Sequence, residues 1–179
     1  SEVLVTAHPS VSDYASLLQD TPQNVTVVSR QVLDEQAAND MQDALKNVPG
    51  ITLNAGEGGT HGDNINLRGF AAGDDFFLDG LRDTGFYTRD SFDIEEIEVY
   101  KGPASTLFGR GSTGGVVNQV QKSPQLQDFA RARAVAGSND ELRGTADVNY
   151  AFTDEDAFRL NAMAHRAAVA GRDFVENRR

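Results

Sequence analysis

The sequence predicts an α+β domain with a small mixed β-sheet, short helices and long loops, followed by about three antiparallel strands of the kind that build an outer-membrane β-barrel. Three observations carry that expectation. Apolar residues recur at helical spacing only twice, both times before Pro49-Gly50. From Ile51 to Lys122 short β-prone runs stand between Gly- and Asp-rich loops. After Pro124 the pattern changes to long, strict alternation of apolar and polar residues. Charge changes at the same place. Residues 1–124 carry eight Lys and Arg against eighteen Asp and Glu, whereas residues 125–179 are nearly balanced, within a net charge of −11.

Taken in order, Ser1 to about Asp20 opens with the β-prone run Glu2-Val3-Leu4-Val5-Thr6-Ala7, and its polar continuation gives it no core to join, so it reads as an extended, mobile arm. Val25-Thr26-Val27-Val28 reads as a buried strand. Ser29 is placed to cap a helix over about Arg30 to Gln36, and Asn39 or Asp40 to cap a second, in which Met41, Leu45 and Val48 share a face. Ile65-Asn66-Leu67 reads as a strand, Phe76-Phe77-Leu78 meets Leu81 across the hairpin dipeptide Asp79-Gly80, and strands follow at Ile94 to Val99 and Val116 to Val120. Beyond Pro124, Leu142, Ala146, Val148, Tyr150 and Phe152 fall on one face and Arg143, Thr145, Asp147 and Asn149 on the other. Phe158 to His165 repeats the alternation after the acidic turn Thr153 to Asp156, and a shorter run, Arg131 to Ala136, precedes both.

Composition excludes several functions. With no cysteine there is no disulfide scaffold, thiolate metal site or thiol nucleophile, and the strongly acidic balance disfavours a nucleic-acid partner. No run of roughly 18 apolar residues is present to form a spanning helix. Gly109-Arg-Gly111-Ser-Thr-Gly114 fits G-x-G-x-x-G, but the β-prone Val116 to Val120 follows where a dinucleotide site needs a helix, so it reads as a turn between strands. No nucleophile elbow or calcium-loop spacing occurs, and Asp74, Asp75 and Asp79 read as turn acids. On a strand Glu96 and Glu98 share one face and Glu95 the other, which reads as a solvated edge or an ion pair. Arg68 and Arg110 each stand beside glycine within apolar surroundings. Their partners are either Glu95 or Glu98, or residues on another unit of the protein. Thr84-Gly85-Phe86-Tyr87-Thr88-Arg89-Asp90 joins two aromatics to a cation, suited to a planar, electron-rich anion unless the rings fold back onto the sheet. Glu57 to Asp63 forms a second polar loop that could stand beside it.

These pieces together resemble the plug of TonB-dependent outer-membrane receptors, specifically the catecholate-type ferric siderophore receptors. The run is almost continuous from Asp20 to Lys122, through Asp43-Ala-Leu-Lys-Asn-Val-Pro-Gly-Ile51, Leu67-Arg-Gly-Phe70, Phe77-Leu-Asp-Gly80 and Ile97-Glu-Val-Tyr-Lys-Gly-Pro-Ala-Ser-Thr-Leu-Phe-Gly-Arg-Gly-Ser-Thr-Gly-Gly-Val-Val-Asn118. The resemblance implies an arm with the TonB box at 1–19, a plug domain at 20–124 and the start of a barrel at 125–179. It implies that the plug sits within a barrel of about 22 strands, accessible from the periplasm, and binds ligand with its apex loops.

Expected partners are a ferric siderophore, TonB of the inner-membrane TonB–ExbB–ExbD complex, and outer-membrane lipid. No cofactor is expected, iron being part of the cargo, and no catalysis. Residues carried over are Glu2, Val3, Leu4, Val5, Thr6 and Ala7 for TonB, where a β-prone arm suits strand addition. Glu57, His61, Gly73, Asp74, Phe86, Tyr87 and Arg89 are carried over for ligand, and Arg68, Arg110, Glu95 and Glu98 for the contact of plug and barrel. The competing expectation is a module that binds TonB and signals without transport. Barrels of this type use an even number of strands from about eight upward, so the chain is expected to be a piece of a longer protein.

Overall fold

The computed structural model describes residues 24–54, 62–109, 113–137, 140–168 and 176–178, which form two compact units divided between Gln121 and Lys122. In the first unit the order is β1 (Asn24–Ser29), α1 (Arg30–Glu35), α2 (Met41–Leu45), β2 (Ile51–Leu53), β3 (Ile65–Leu67), β4 (Phe70–Ala71), β5 (Phe76–Leu78), β6 (Leu81–Arg82), β7 (Ile94–Lys101), α3 (Ser105–Phe108) and β8 (Gly115–Gln121). A five-stranded sheet runs β1-β7-β8-β5-β6, mixed because β5 lies parallel to β8 while its other pairs are antiparallel. A three-stranded sheet, β2-β3-β4, stands separately.

Both helices begin where expected, by different means. Asp40 accepts a hydrogen bond from the Asp43 amide at 2.9 Å, capping α2, whereas Ser29 precedes α1 without a side-chain cap. Met41, Leu45 and Val48 are buried, as their spacing requires, in a core shared with Leu33, Ile65, Leu67, Phe76, Ile97 and Val99. The opposite face of the sheet buries a smaller cluster of Phe77, Tyr100, Ala104 and Val116, with Phe108 packed edge-on against the rings of Phe77 and Tyr100. The Asp79-Gly80 hairpin is tied to β8, since Gly80 N–H donates to Asn118 Oδ1 and Asp79 Oδ1 accepts from the Gln121 amide.

One expectation is corrected by where β7 lies. It is an inner strand, paired on both sides, so Glu96 and Glu98 are buried rather than a solvated edge. Glu98 Oε2 accepts from Tyr100 Oη and Asn118 Nδ2 at 3.1 and 2.9 Å; burial, then the charge and hydrogen bond of Glu98, push the Tyr100 phenol well above its usual range. The glycine run also finds its reason. A Cβ on Gly114 would strike the Leu67 carbonyl and one on Gly115 the Tyr100 carbonyl, so these glycines let β8 start hard against β3 and β7.

The second unit is an antiparallel sheet of β9 (Phe129–Ala136), β10 (Leu142–Ala151), β11 (Ala157–Ala168) and β12 (Glu176–Arg178), each hydrogen-bonded to the next. Three strands match the expectation; the short β12 is additional. Opposite register places Val148 against Leu160 and Tyr150 against Phe158, all exposed, while Arg143, Asp147 and Asn149 on the other face are buried. Asp147 is held by Arg159 at 2.8 Å and Lys122 at 3.2 Å. The β10–β11 turn closes on Thr153, whose hydroxyl accepts from the amides of Glu155 and Asp156.

Candidate functional site

Two loops of the first unit converge at one end of its sheets. Gly62, with a positive φ of 91°, brings its backbone so close to Phe86 and Tyr87 that a Cβ would meet the Tyr87 amide nitrogen at 2.7 Å. Beside it the Asp63 amide donates to the Tyr87 carbonyl at 3.2 Å. Gly62 and Asp63, the described end of the second polar loop, therefore stand beside the aromatic loop from Asp83 to Asp90.

Arg89 binds them. Its Nε donates to Asp83 Oδ2 at 2.9 Å, its Nη1 to Asp63 Oδ2 at 3.3 Å, and its Nη2 to the carbonyls of Gly85 and Asp83 at 2.9 and 3.2 Å. Its backbone amide also reaches Asp63 Oδ2, and its guanidinium lies 4.4 Å from the ring centroids of both Phe76 and Tyr87. Burial pushes the Asp63 carboxyl up despite the Arg89 bonds, and the nearby charge of Asp40 adds to this. At Asp83 burial also acts upward, but bonds from Tyr87 and Arg89 overcome it and hold the carboxyl below the usual range.

The expectation that Arg89 touches ligand is thereby corrected. The residue is 3% exposed, with its donors committed to two carboxylates and loop carbonyls, so it shapes the loop from inside. The aromatic pair divides between its two readings. Tyr87 is tied down, its hydroxyl on Asp83 at 2.6 Å and its ring over Arg89, yet is still 48% exposed, and Phe86 is 72% exposed.

Phe86 forms one wall of a cavity of about 560 Å³. Phe70 forms another, and Asn64, Thr113, Gly73 and Asp74 belong to the same lining. Arg82 reaches into the same lining, 3.6 Å from Asp75 and donating to the Asp74 carbonyl at 2.9 Å. Burial pushes the Asp75 carboxyl up, the Arg82 charge opposing and Asp74 reinforcing the shift.

Of the expected ligand residues, Gly73, Asp74 and Phe86 thus come together and Tyr87 adjoins them, while Glu57 and His61 lie outside the described residues. Sequence reading missed Phe70, Asn64, Arg82 and Thr113. Phe70 alone left a trace, as a large apolar residue directly after the Arg68-Gly69 turn. Glu2, Val3, Leu4, Val5, Thr6, Ala7 and Arg110 also lie outside the described residues.

Arg68 is exposed with a positive φ of 52° and makes no ion pair among the described residues, so pairing with Glu95 or Glu98 is not observed. The Lys101 ammonium is held below its usual range by burial and then by the Arg68 charge.

The family model described as the TonB-dependent receptor plug domain matches residues 17–116. The catecholate siderophore receptor Fiu of Escherichia coli K12 is 44% identical over 163 residues, covering 89% of this chain and 21% of that protein. The probable TonB-dependent receptor BfrD of Bordetella pertussis is 40% identical over 161 residues, 89% of this chain and 22% of its own. Among solved structures, the closed form of E. coli Fiu superimposes with a TM-score of 0.83 at 42% identity, covering 89% of this chain and 23% of that one. The siderophore receptor PiuA of Acinetobacter baumannii gives 0.81 at 36% identity, with 88% and 23% covered. The chain spans about a fifth of the length of the curated relatives it matches.

Proposed function

This chain belongs to the TonB-dependent receptor plug domain family, and from that premise we propose that it is the plug and first barrel strands of an outer-membrane receptor that takes up a ferric siderophore, the catecholate class favoured. The observation that carries this reading is the cavity between Phe70 and Phe86, which offers two exposed rings to a planar aryl group beside neutral hydrogen-bonding side chains. The strands after Lys122 support the membrane part, because their exposed face is apolar and their buried face carries Arg143, Asp147 and Asn149.

In this reading the plug closes the barrel and binds the ferric complex with its outer loops. TonB pairs in the periplasm with the arm at Glu2 to Ala7, whose β-propensity suits strand addition, and its pull rearranges the plug. The Arg89 network holds Phe86 in place, so ligand meets a preformed wall.

The test is a titration of the whole receptor with an iron(III) bis-catecholate and an iron(III) hydroxamate, followed by uptake of labelled iron into cells with and without TonB. Saturable binding, tighter for the catecholate, and TonB-dependent uptake are expected. Val5→Pro removes one ladder donor from the arm and is expected to abolish uptake while leaving binding intact. Uptake that persists without TonB, or no binding of either complex, overturns the proposal.

A further inference from the structure

We propose that Asp74 is a specificity-determining charge in the lining of the cavity, which admits aryl-bearing ferric complexes of low net negative charge and disfavours the trianion that iron(III) forms with three catecholate dianions. This rests on the siderophore reading above and names the subset of complexes that the site takes.

The charges around the cavity carry the inference. Among the described residues its ionic lining is Asp74, Asp75 and Arg82. Arg82 is committed: it lies 3.6 Å from Asp75, donates to the Asp74 backbone carbonyl and sits 4.9 Å from the centroid of the Phe77 ring. Its charge is matched by Asp75, which leaves the exposed Asp74 carboxylate as the uncompensated one. Arg89, a second guanidinium among the described residues, is buried between Asp63 and Asp83, so its field is already answered by two carboxylates.

What attracts a ligand here is therefore apolar and neutral. Phe70 and Phe86 are 52% and 72% exposed, and Asn64 and Thr113 add neutral hydrogen-bonding groups. Phe86 also places the charge relative to the ring. A Cβ built on Gly73 would touch Phe86 Cε1 at 3.9 Å, so an aryl group stacked on Phe86 lies beside the residue that precedes Asp74.

The chemistry of the cargo supplies the discrimination. Iron(III) held by two catecholate dianions is a monoanion and by three a trianion, and repulsion from a fixed carboxylate scales with that charge. A like charge in the lining is a device that rejects one class of ligand while leaving the apolar contacts of another untouched.

The experiment compares Asp74→Asn with the unaltered whole receptor, titrated with an iron(III) tris-catecholate and with a neutral iron(III) trihydroxamate. The substitution is expected to tighten tris-catecholate binding by about three- to tenfold at moderate ionic strength and to leave the trihydroxamate Kd unchanged. Asp74→Glu, which keeps the charge, is expected to retain the discrimination of the unaltered receptor. Equal shifts for both complexes, or no gain for the trianion, overturn the charge filter and leave the siderophore reading standing. Failure of the unaltered receptor to bind an iron(III) bis-catecholate as well as these two complexes overturns the siderophore reading and the filter with it.

Discussion

The two units place the same kinds of side chain on opposite sides. In the first, Phe76, Leu33, Met41, Leu45 and Ile97 are wholly buried, and the surface is polar and strongly acidic. In the second, Tyr150, Phe152, Phe158 and Leu160 are more than half exposed, and the buried positions are Arg143, Asp147 and Asn149. In the first unit β7 and β8 are buried along nearly their whole length, whereas β10 alternates exposed and buried residues. A sheet that buries ion pairs and exposes rings suits an outer face covered by hydrocarbon, as the proposed membrane role requires. Each unit nevertheless uses a paired aspartate as an internal tie: Asp63 and Asp83 on Arg89 in one, Asp147 between Arg159 and Lys122 in the other.

The largest effect that sharpens this contrast is expected from the ties. Arg89→Met leaves the buried Asp63 and the half-buried Asp83 carboxylates without their cation and is expected to cost about 3–5 kcal/mol. Arg159→Met leaves Lys122 on Asp147 and is expected to cost roughly half as much. Thermal unfolding of the two variants side by side checks the order, and equal losses would mean that Lys122 contributes nothing.

Next comes the outer face. Leu160→Arg in a lipid bilayer is expected to cost up to about 2–4 kcal/mol, whereas Leu81→Arg, at a position 75% exposed in the first unit, is expected to stay within about 0.5 kcal/mol. Denaturant titration in vesicles measures both, and a neutral Leu160→Arg would remove the lipid-facing assignment.

A smaller effect separates the two acids of the first unit by the sign of their pH dependence. Asp83 has a folded value held below the usual 3.8, so its contribution is present above that value and is lost as pH falls through the lower folded one. Asp63 is raised, so the cost of its burial at neutral pH is relieved as pH falls through its folded value. Thermal midpoints measured against pH are expected to show a shallower acid loss in Asp83→Asn and a steeper one in Asp63→Asn. The smallest change expected is a gain. Ala37 ends α1 with a φ of 49°, a left-handed conformation that costs a residue bearing a Cβ, and Ala37→Gly is expected to add about 0.5–1 kcal/mol in thermal unfolding.

Much of this architecture was legible because it is local. The cap at Asp40, the buried face Met41-Leu45-Val48, the Asp79-Gly80 hairpin and the alternation of β10 and β11 each follow from residues within one or two turns of chain. What escaped is set by partners distant in sequence. Glu96 and Glu98 look like edge acids until β1 and β8 close on both sides of β7, and nothing near Arg89 in the sequence announces Asp63 as its partner. The candidate site divides along the same line. Phe86, Asp74 and Gly73 share a recognisable stretch, whereas Asn64 and Thr113 reach the cavity through the packing of β3 and β8, which the glycine pair at 114–115 permits.

The strand order also sets a timetable. β1 pairs with β7 alone, in register Asn24↔Lys101, so roughly seventy residues separate the first strand from the one that satisfies it, and closing so long a loop carries an entropic cost and slows folding. The second unit has no such delay, since β9, β10, β11 and β12 each pair with the strand before or after them in sequence. As the chain is synthesised from its N-terminus, β1 is the first strand of the sheet to exist and must wait for β7 before it can dock, so folding of the first unit has to begin elsewhere.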